Sequence, residues 1–122
     1  ILTIPGISYT LGAMIISEIS DISNFSNPAK LLAYAGLEPS VKQSGNFNAT
    51  NTRISKRGSK HLRYAIHQAA SIIINNNDTF NIYYTTKRSS GKSYRNALGH
   101  VSNKLVRVIF KILTDNIPFN LS

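Results

Sequence analysis

The chain has 122 residues, of which 42% are hydrophobic, and this is enough for one domain with a single core rather than a disordered segment. It contains no cysteine, which excludes disulfides and cysteine-ligated zinc, and we expect no membrane segment because no apolar run approaches the ~20 residues of a span. The formal net charge of +9 predicts an anionic partner, most often nucleic acid.

The first predicted helix runs from Ser8 to Ile19, after an apolar entry that contains the turn Pro5-Gly6. Its start resembles the second half of a helix-hairpin-helix, in which a glycine turn opens a helix whose amides face a DNA phosphate. Ser8 stands where a second glycine is usual and no first helix precedes it, so a turn that closes the core explains the residues equally well.

The second helix is capped by Ser26 or Asn27, carries Pro28 in its first turn and is stopped by Gly36. A polar loop follows, in which residues 37–52 have room for a short hairpin. The composition of the loop is typical of a mobile surface segment. We therefore expect a long basic loop between the second and third helices.

Three further helices are predicted in the second half of the chain. They run from near Ser59 to about Asn75, from Asp78 or Thr79 to the Ser89-Ser90-Gly91 turn, and from about Ser93 to Thr114. Apolar stripes assign inward positions on the third helix to Leu62, Ala65, Ile66, Ala69, Ala70 and Ile73, and on the last helix to Tyr94, Ala97, Leu98, Val101, Leu105, Val108, Ile109, Ile112 and Leu113. Phe80, Tyr83 and Tyr84 share one side of the fourth helix, more often a core grouping than a base-stacking platform. The predicted fold class is mainly α: a small single-domain bundle of about five helices with a long basic loop and a helix-hairpin-helix-like N-terminal turn.

Positive charge is concentrated in two blocks that contain no acidic residue. The first holds six basic residues between Lys42 and Arg63, and the second holds seven between Lys87 and Lys111. Segregation on this scale favours a binding surface, on the loop and on the last helix, over a uniform surplus of lysine.

The stretch from Gly36 to Arg63 is the candidate site because it places small hydroxyl residues beside this first basic block. Attack on a phosphodiester gathers negative charge on the phosphoryl oxygens, which nearby cations stabilise. Ser44, followed by Gly45, is the candidate nucleophile; Ser40 and Ser55 are rival hydroxyls that lack the Ser-Gly context. Ser55 is also a candidate for phosphate binding or for capping the third helix. No base is evident beside Ser44, and the three histidines are explained as helix surface or satisfied core groups. The alternative is that Ser44-Gly45 only forms a turn next to a solvent-exposed basic surface.

The candidates for phosphate contacts are Arg53, Lys56 and Arg57, because arginine forks match phosphate oxygens. With Gly45 and Ser55, the predicted nucleic-acid-binding residues are Arg53, Lys56, Arg57, Lys60 and Arg63. On the third helix, Lys60, Arg63 and His67 fall away from the apolar stripe, so this helix offers a basic edge while it anchors the core.

The order of motifs IPGIS, LLAYAGLEPS, QSG and RISKRGSKHLR, followed by a basic amphipathic helix, resembles the C-terminal transposase domain of the insertion-sequence 110 family, the Piv-like DNA recombinases. The resemblance covers Ile4 to about Pro118, and it implies that residues 1–122 are a C-terminal transposase domain. It implies that Ser44, in the Ser-Gly pair, joins covalently to a DNA strand end during strand exchange.

The resemblance also implies features outside this sequence. Family members carry an N-terminal RuvC-like nuclease domain whose four acidic residues hold Mg²⁺, they act as oligomers, and a structured guide RNA from the element directs them. Glu18, Asp21, Glu38, Asp78 and Asp115 show no ligand spacing, so we expect no cofactor or metal on this chain. The sequence begins at Ile1 rather than methionine, so we expect a fragment that is inactive by itself. From the resemblance we expect the complete protein to act on DNA as a homo-oligomer and to hold Mg²⁺ in its other domain. The expected location is the bacterial cytoplasm, in association with the nucleoid.

Two other functions remain open from the residues alone. One is a non-catalytic module that holds the backbone of DNA or RNA, in which Ser44→Ala leaves every activity intact. The other is a protein-interaction domain whose charge confers solubility, in which affinity for nucleic acid depends little on salt.

Overall fold

The computed structural model describes residues 1–37 and 59–120, which form five α-helices and one short 3₁₀-helix. In chain order these are α1 (Tyr9–Ile19), the 3₁₀-helix (Ile22–Asn24), α2 (Pro28–Tyr34), α3 (Lys60–Ile73), α4 (Asp78–Ser89) and α5 (Tyr94–Asp115). No strand occurs in these two ranges, and the prediction of a small, mainly helical domain with five helices is confirmed. The predicted basic loop, with nearly all of its possible hairpin, lies outside the described residues.

Each α-helix begins after a serine or asparagine whose side-chain oxygen accepts a hydrogen bond from a backbone N–H of the first turn, which satisfies one otherwise unpaired donor. The caps are Ser8, Asn27, Ser59, Asn77 and Ser93. Asn27 rather than Ser26 therefore caps α2. The alternative that Ser55 caps the third helix is wrong, because Ser59 fills that position.

Helix α5 lies at the centre of the fold, where it contacts α2, α3, α4 and the 3₁₀-helix, while α1 packs on α3. All six positions predicted to face inward on α3 are buried. On α5 the prediction is wrong for Tyr94, which is 52% exposed because it lies at the helix start, where its ring meets the edge of Tyr84 outside the core. Val106 and Ser102, which were not predicted to face inward, are buried there instead.

The N-terminal turn packs against the far end of α3. Gly6 has φ +87°, and a Cβ built on it would lie 2.4 Å from Cγ2 of Ile72. Ile4 and Ile7, on either side of the turn, are buried. These contacts are the ones that a core-closing turn requires, and no helix precedes α1 within residues 1–8.

None of the helices described for residues 1–37 and 59–120 is long and apolar enough to cross a bilayer.

Candidate nucleic-acid interface

Most of the predicted site residues, namely Ser44, Gly45, Arg53, Ser55, Lys56 and Arg57, lie outside the described residues, as does the rival hydroxyl Ser40. The structure places the other two, Lys60 and Arg63, on α3. Lys60 is exposed in the first turn, and Arg63 is partly buried one turn later. Residues three apart on a helix share a face, so these two cations lie on one edge of α3.

His67 follows Arg63 by four residues and extends the same edge of α3. Its imidazole is partly buried, and this burial, together with the nearby Arg63 guanidinium, lowers the pKa of His67 below its usual 6.5. Lys60, Arg63 and His67 thus lie outside the buried stripe of α3, as predicted, and the lowered pKa favours the neutral form of the His67 imidazole.

Two contacts fasten the residues that flank positions 38–58. The backbone N–H of Ser59 donates to the carbonyl oxygen of Tyr34 at 2.9 Å, which ties the start of α3 to the end of α2. Gly36, at φ +74°, lies so close to α3 that an added Cβ would be 2.5 Å from Nη1 of Arg63. The chain therefore leaves α2 and enters α3 at adjacent points, with the Arg63 guanidinium beside them.

A side-chain contact that sequence reasoning missed completes this junction. The hydroxyl of Ser59 donates a hydrogen bond to Oε1 of Glu18 at 2.5 Å, and Oγ of Ser59 accepts a hydrogen bond from the backbone N–H of Leu62 at 2.8 Å. Ser59 and Glu18 are 41 residues apart in sequence. No local pattern signals such a pair. It fixes the C-terminal half of α1 to the first turn of α3.

A second group of cations surrounds the ring of Tyr83, where α4 packs on α5. The ammonium groups of Lys87 and Lys104 each lie 5.2 Å from the centroid of this ring, and Lys104 also lies 5.8 Å from that of Phe80. Contacts of this kind are worth about 0.5–1 kcal/mol at exposed sites. Phe80 is fully buried, as predicted for a core aromatic, while Tyr83 is partly exposed under the two ammonium groups.

His100 adjoins this group on α5. Partial burial, followed by the positive charges of Lys87 and Lys92, lowers the pKa of His100 below 6.5. The two lysines are therefore near enough to His100 for their charges to oppose its protonation. Among residues 1–37 and 59–120 the single ion pair joins Lys111 to Asp115 at 2.8 Å, so no described carboxylate pairs with Lys87, Lys92 or Lys104.

No group of three or more histidine, aspartate or glutamate side chains within the described ranges is placed to hold a metal ion. The expectation that Mg²⁺ belongs to another domain stays a prediction.

Known proteins resemble the chain over nearly its whole length. A family model described as the transposase IS116/IS110/IS902 family matches residues 1–85. The chain is 27% identical over 113 residues to the insertion element IS110 uncharacterized 43.6 kDa protein of Streptomyces coelicolor, covering 93% of this chain and 28% of that protein. It is 29% identical over 119 residues to the pilin gene-inverting protein of Moraxella bovis, covering 97% of this chain and 37% of that protein. The chain thus spans about a third of the length of these relatives, and no solved structure matches it.

Proposed function

Since the chain belongs to the IS116/IS110/IS902 transposase family, we propose that it supplies the DNA-binding surface and the nucleophilic serine of a transposase that moves an insertion sequence by strand cleavage and exchange. The observation that carries the proposal is the extent of the family match. It contains the whole basic stretch from Gly36 to Arg63.

In the proposed reaction the Oγ atom of Ser44 attacks a phosphorus atom of the DNA backbone. The Oγ–P bond forms and the P–O bond to the neighbouring nucleotide breaks, the serine proton passes to a base, and the departing oxygen takes up a proton. Reversal of this step with a different strand end rejoins the DNA. Arg53, Arg57 and Arg63 serve as cations for the phosphoryl oxygens, where the charge of the transition state gathers.

The geometry of the flanking residues supports this arrangement. The end of α2 and the start of α3 meet through the hydrogen bond between Ser59 and Tyr34, and the Arg63 guanidinium lies against Gly36 at that junction. A phosphate held near the junction would have the Arg63 charge beside it. The base for Ser44 is proposed to come from a further, nuclease-like Mg²⁺-binding domain, with oligomerisation and a guide RNA as parts of the complete system in the bacterial cytoplasm at the nucleoid.

The test joins this chain to such a nuclease-like domain and assays strand exchange between paired donor and target DNA. Wild type is expected to form a covalent protein–DNA adduct that Ser44→Ala abolishes. Ser40→Ala is the matched control, because it removes a hydroxyl from the same stretch at a position with no proposed phosphate contact, and it should keep the adduct. Undiminished recombination by Ser44→Ala would instead support the second candidate, a non-catalytic module that holds nucleic acid with its basic residues.

A further inference from the structure

The second basic block contains residues in different electrostatic situations, and the structure separates them. Lys111 is neutralised by Asp115, and the guanidinium of Arg107 donates to the side-chain oxygen of Asn103 at 3.3 Å. Lys87, Lys92 and Lys104 have no carboxylate partner among the described residues. Lys92 lies where α4 turns into α5, and Lys87 and Lys104 meet at the ring of Tyr83.

These uncompensated charges are close together. Because Lys87 and Lys104 each lie 5.2 Å from the same ring centroid, their ammonium nitrogens are separated by no more than twice that distance. This is about one Debye length, ~10 Å at 0.1 M salt, so salt screens their repulsion incompletely. The backbone N–H of Lys92 donates to the carbonyl oxygen of Lys87 at 3.3 Å, which places the backbones of these two residues side by side. An anion bound between such charges relieves the repulsion.

The same charges continue along α5. Lys104 and Arg107 are three residues apart, so they share one face of the helix. Neither is paired with a carboxylate among the described residues. Together with Lys87 and Lys92 they present several cations to one partner, which suits a polymer of phosphates better than a single small anion.

We infer that the face formed by Lys87, Lys92 and Lys104 around Tyr83, continued along α5 to Arg107, is a second nucleic-acid surface that binds the phosphate backbone of duplex DNA. The inference rests on the proposed function for the identity of the polymer, because transposition acts on duplex DNA. It adds a contact surface beyond the residues assigned to the stretch from Gly36 to Arg63. Contacts of this kind position the duplex and carry no sequence preference of their own.

The experiment measures binding of the 122-residue chain to a fluorescent DNA duplex over a range of salt concentrations. The double variant Lys87→Gln/Lys92→Gln is expected to reduce the slope of log K against log salt by about 1.8, since each lost phosphate contact removes about 0.9. The control Lys30→Gln/Lys111→Gln lowers the net charge equally, from one exposed position on α2 and one ion-paired position on α5, and should leave the slope within error.

A second pair of variants guards against an effect on folding. Lys92 contacts no aromatic ring among the described residues, so the Lys92→Glu variant should unfold at the same temperature as wild type. It should nevertheless bind duplex about tenfold or more weakly, whereas Lys30→Glu should leave duplex binding unchanged. Lys87→Arg/Lys92→Arg should retain wild-type binding.

If the test and control variants lose the same duplex affinity and the same salt dependence, the second surface is overturned. The proposed function still stands in that case, provided that the wild-type chain binds duplex in a salt-dependent manner. A loss confined to single-stranded RNA of the same length would also overturn it. Failure of wild type to bind any duplex would refute both proposals.

Discussion

Replacing Gly36 with alanine tests whether Arg63 is held against the end of α2. Gly36 has φ +74°, where an alanine costs about 1–2 kcal/mol, and the new Cβ would lie 2.5 Å from Nη1 of Arg63. The guanidinium must turn away, and an arginine forced off its rotamer costs about 0.5–1.5 kcal/mol. We therefore expect the free energy of unfolding to fall by about 1.5–3.5 kcal/mol.

Urea unfolding of four proteins separates the two contributions: wild type, Gly36→Ala, Arg63→Ala and the double variant. Without the Arg63 side chain only the backbone strain remains, so Gly36→Ala should then cost about 1–2 kcal/mol, and the difference between the two backgrounds measures the contact. Gly91→Ala is the matched control. Gly91 has φ +99°, and a Cβ there would have nothing within 4 Å, so it should show strain alone.

An equal cost of Gly36→Ala in both backgrounds would show that Arg63 does not lie over Gly36. No cost in either would show that Gly36 does not adopt a left-handed conformation. The substitution leaves the net charge at +9. Any accompanying loss of DNA affinity would therefore come from the displaced guanidinium rather than from lost charge.

Two further predictions concern α3 and the residues beside it. Ser59→Ala removes the cap of α3 and the hydrogen bond to Glu18, so the free energy of unfolding, measured in urea, should fall by about 1–2 kcal/mol. The control Glu18→Gln keeps a hydrogen-bond acceptor and should cost less. A loss below about 0.5 kcal/mol for Ser59→Ala would contradict the capping role. The pKa of His67 is lowered in the folded state, so on acidification the imidazole takes up a proton in the unfolded chain before it does so in the folded chain. The free energy of unfolding should therefore be unaffected by His67 above about pH 6.5 and should decrease as the pH falls from there toward the folded pKa. Urea unfolding between about pH 5 and 8 should show this decrease, His67→Gln should remove part of it and leave the part due to His100, and a stability that rises on acidification would refute the argument.

The helices could be predicted closely because their signals are local. A serine or asparagine precedes each one, and an apolar stripe at helical spacing follows, so a cap and a buried face identify the same segment. The third helix illustrates this, since it was expected to begin near Ser59 and does begin directly after it. The errors arose on α5, where a helix that touches several neighbours buries a wider face than one stripe describes, which draws in Ser102 and Val106.

The candidate site was less predictable because its contacts join distant parts of the chain. The basic edge of α3 follows from helical periodicity, but the bond between Ser59 and Glu18 depends on how α1 packs on α3. The position of Lys104 over Tyr83 likewise depends on the packing of α4 against α5. The roles of Ser44, Arg53, Lys56 and Arg57, which lie outside the described residues, stay predictions.

The placement of the acidic residues bears on why the chain is basic. Each acidic residue in the described ranges has a structural role. Glu18 accepts a hydrogen bond from Ser59, Asp21 accepts from Ser23 in the 3₁₀-helix, Asp78 lies in the first turn of α4, and Asp115 pairs with Lys111. Hydrogen bonds from Ser23 lower the pKa of Asp21, and the dipole of α4 favours a carboxylate at its start. If the charge served solubility alone, positive and negative side chains interspersed over the surface would be enough. Here the carboxylates are used at helix ends and junctions, which leaves the lysines around Tyr83 uncompensated, and a phosphate backbone is the partner that such a surface suits.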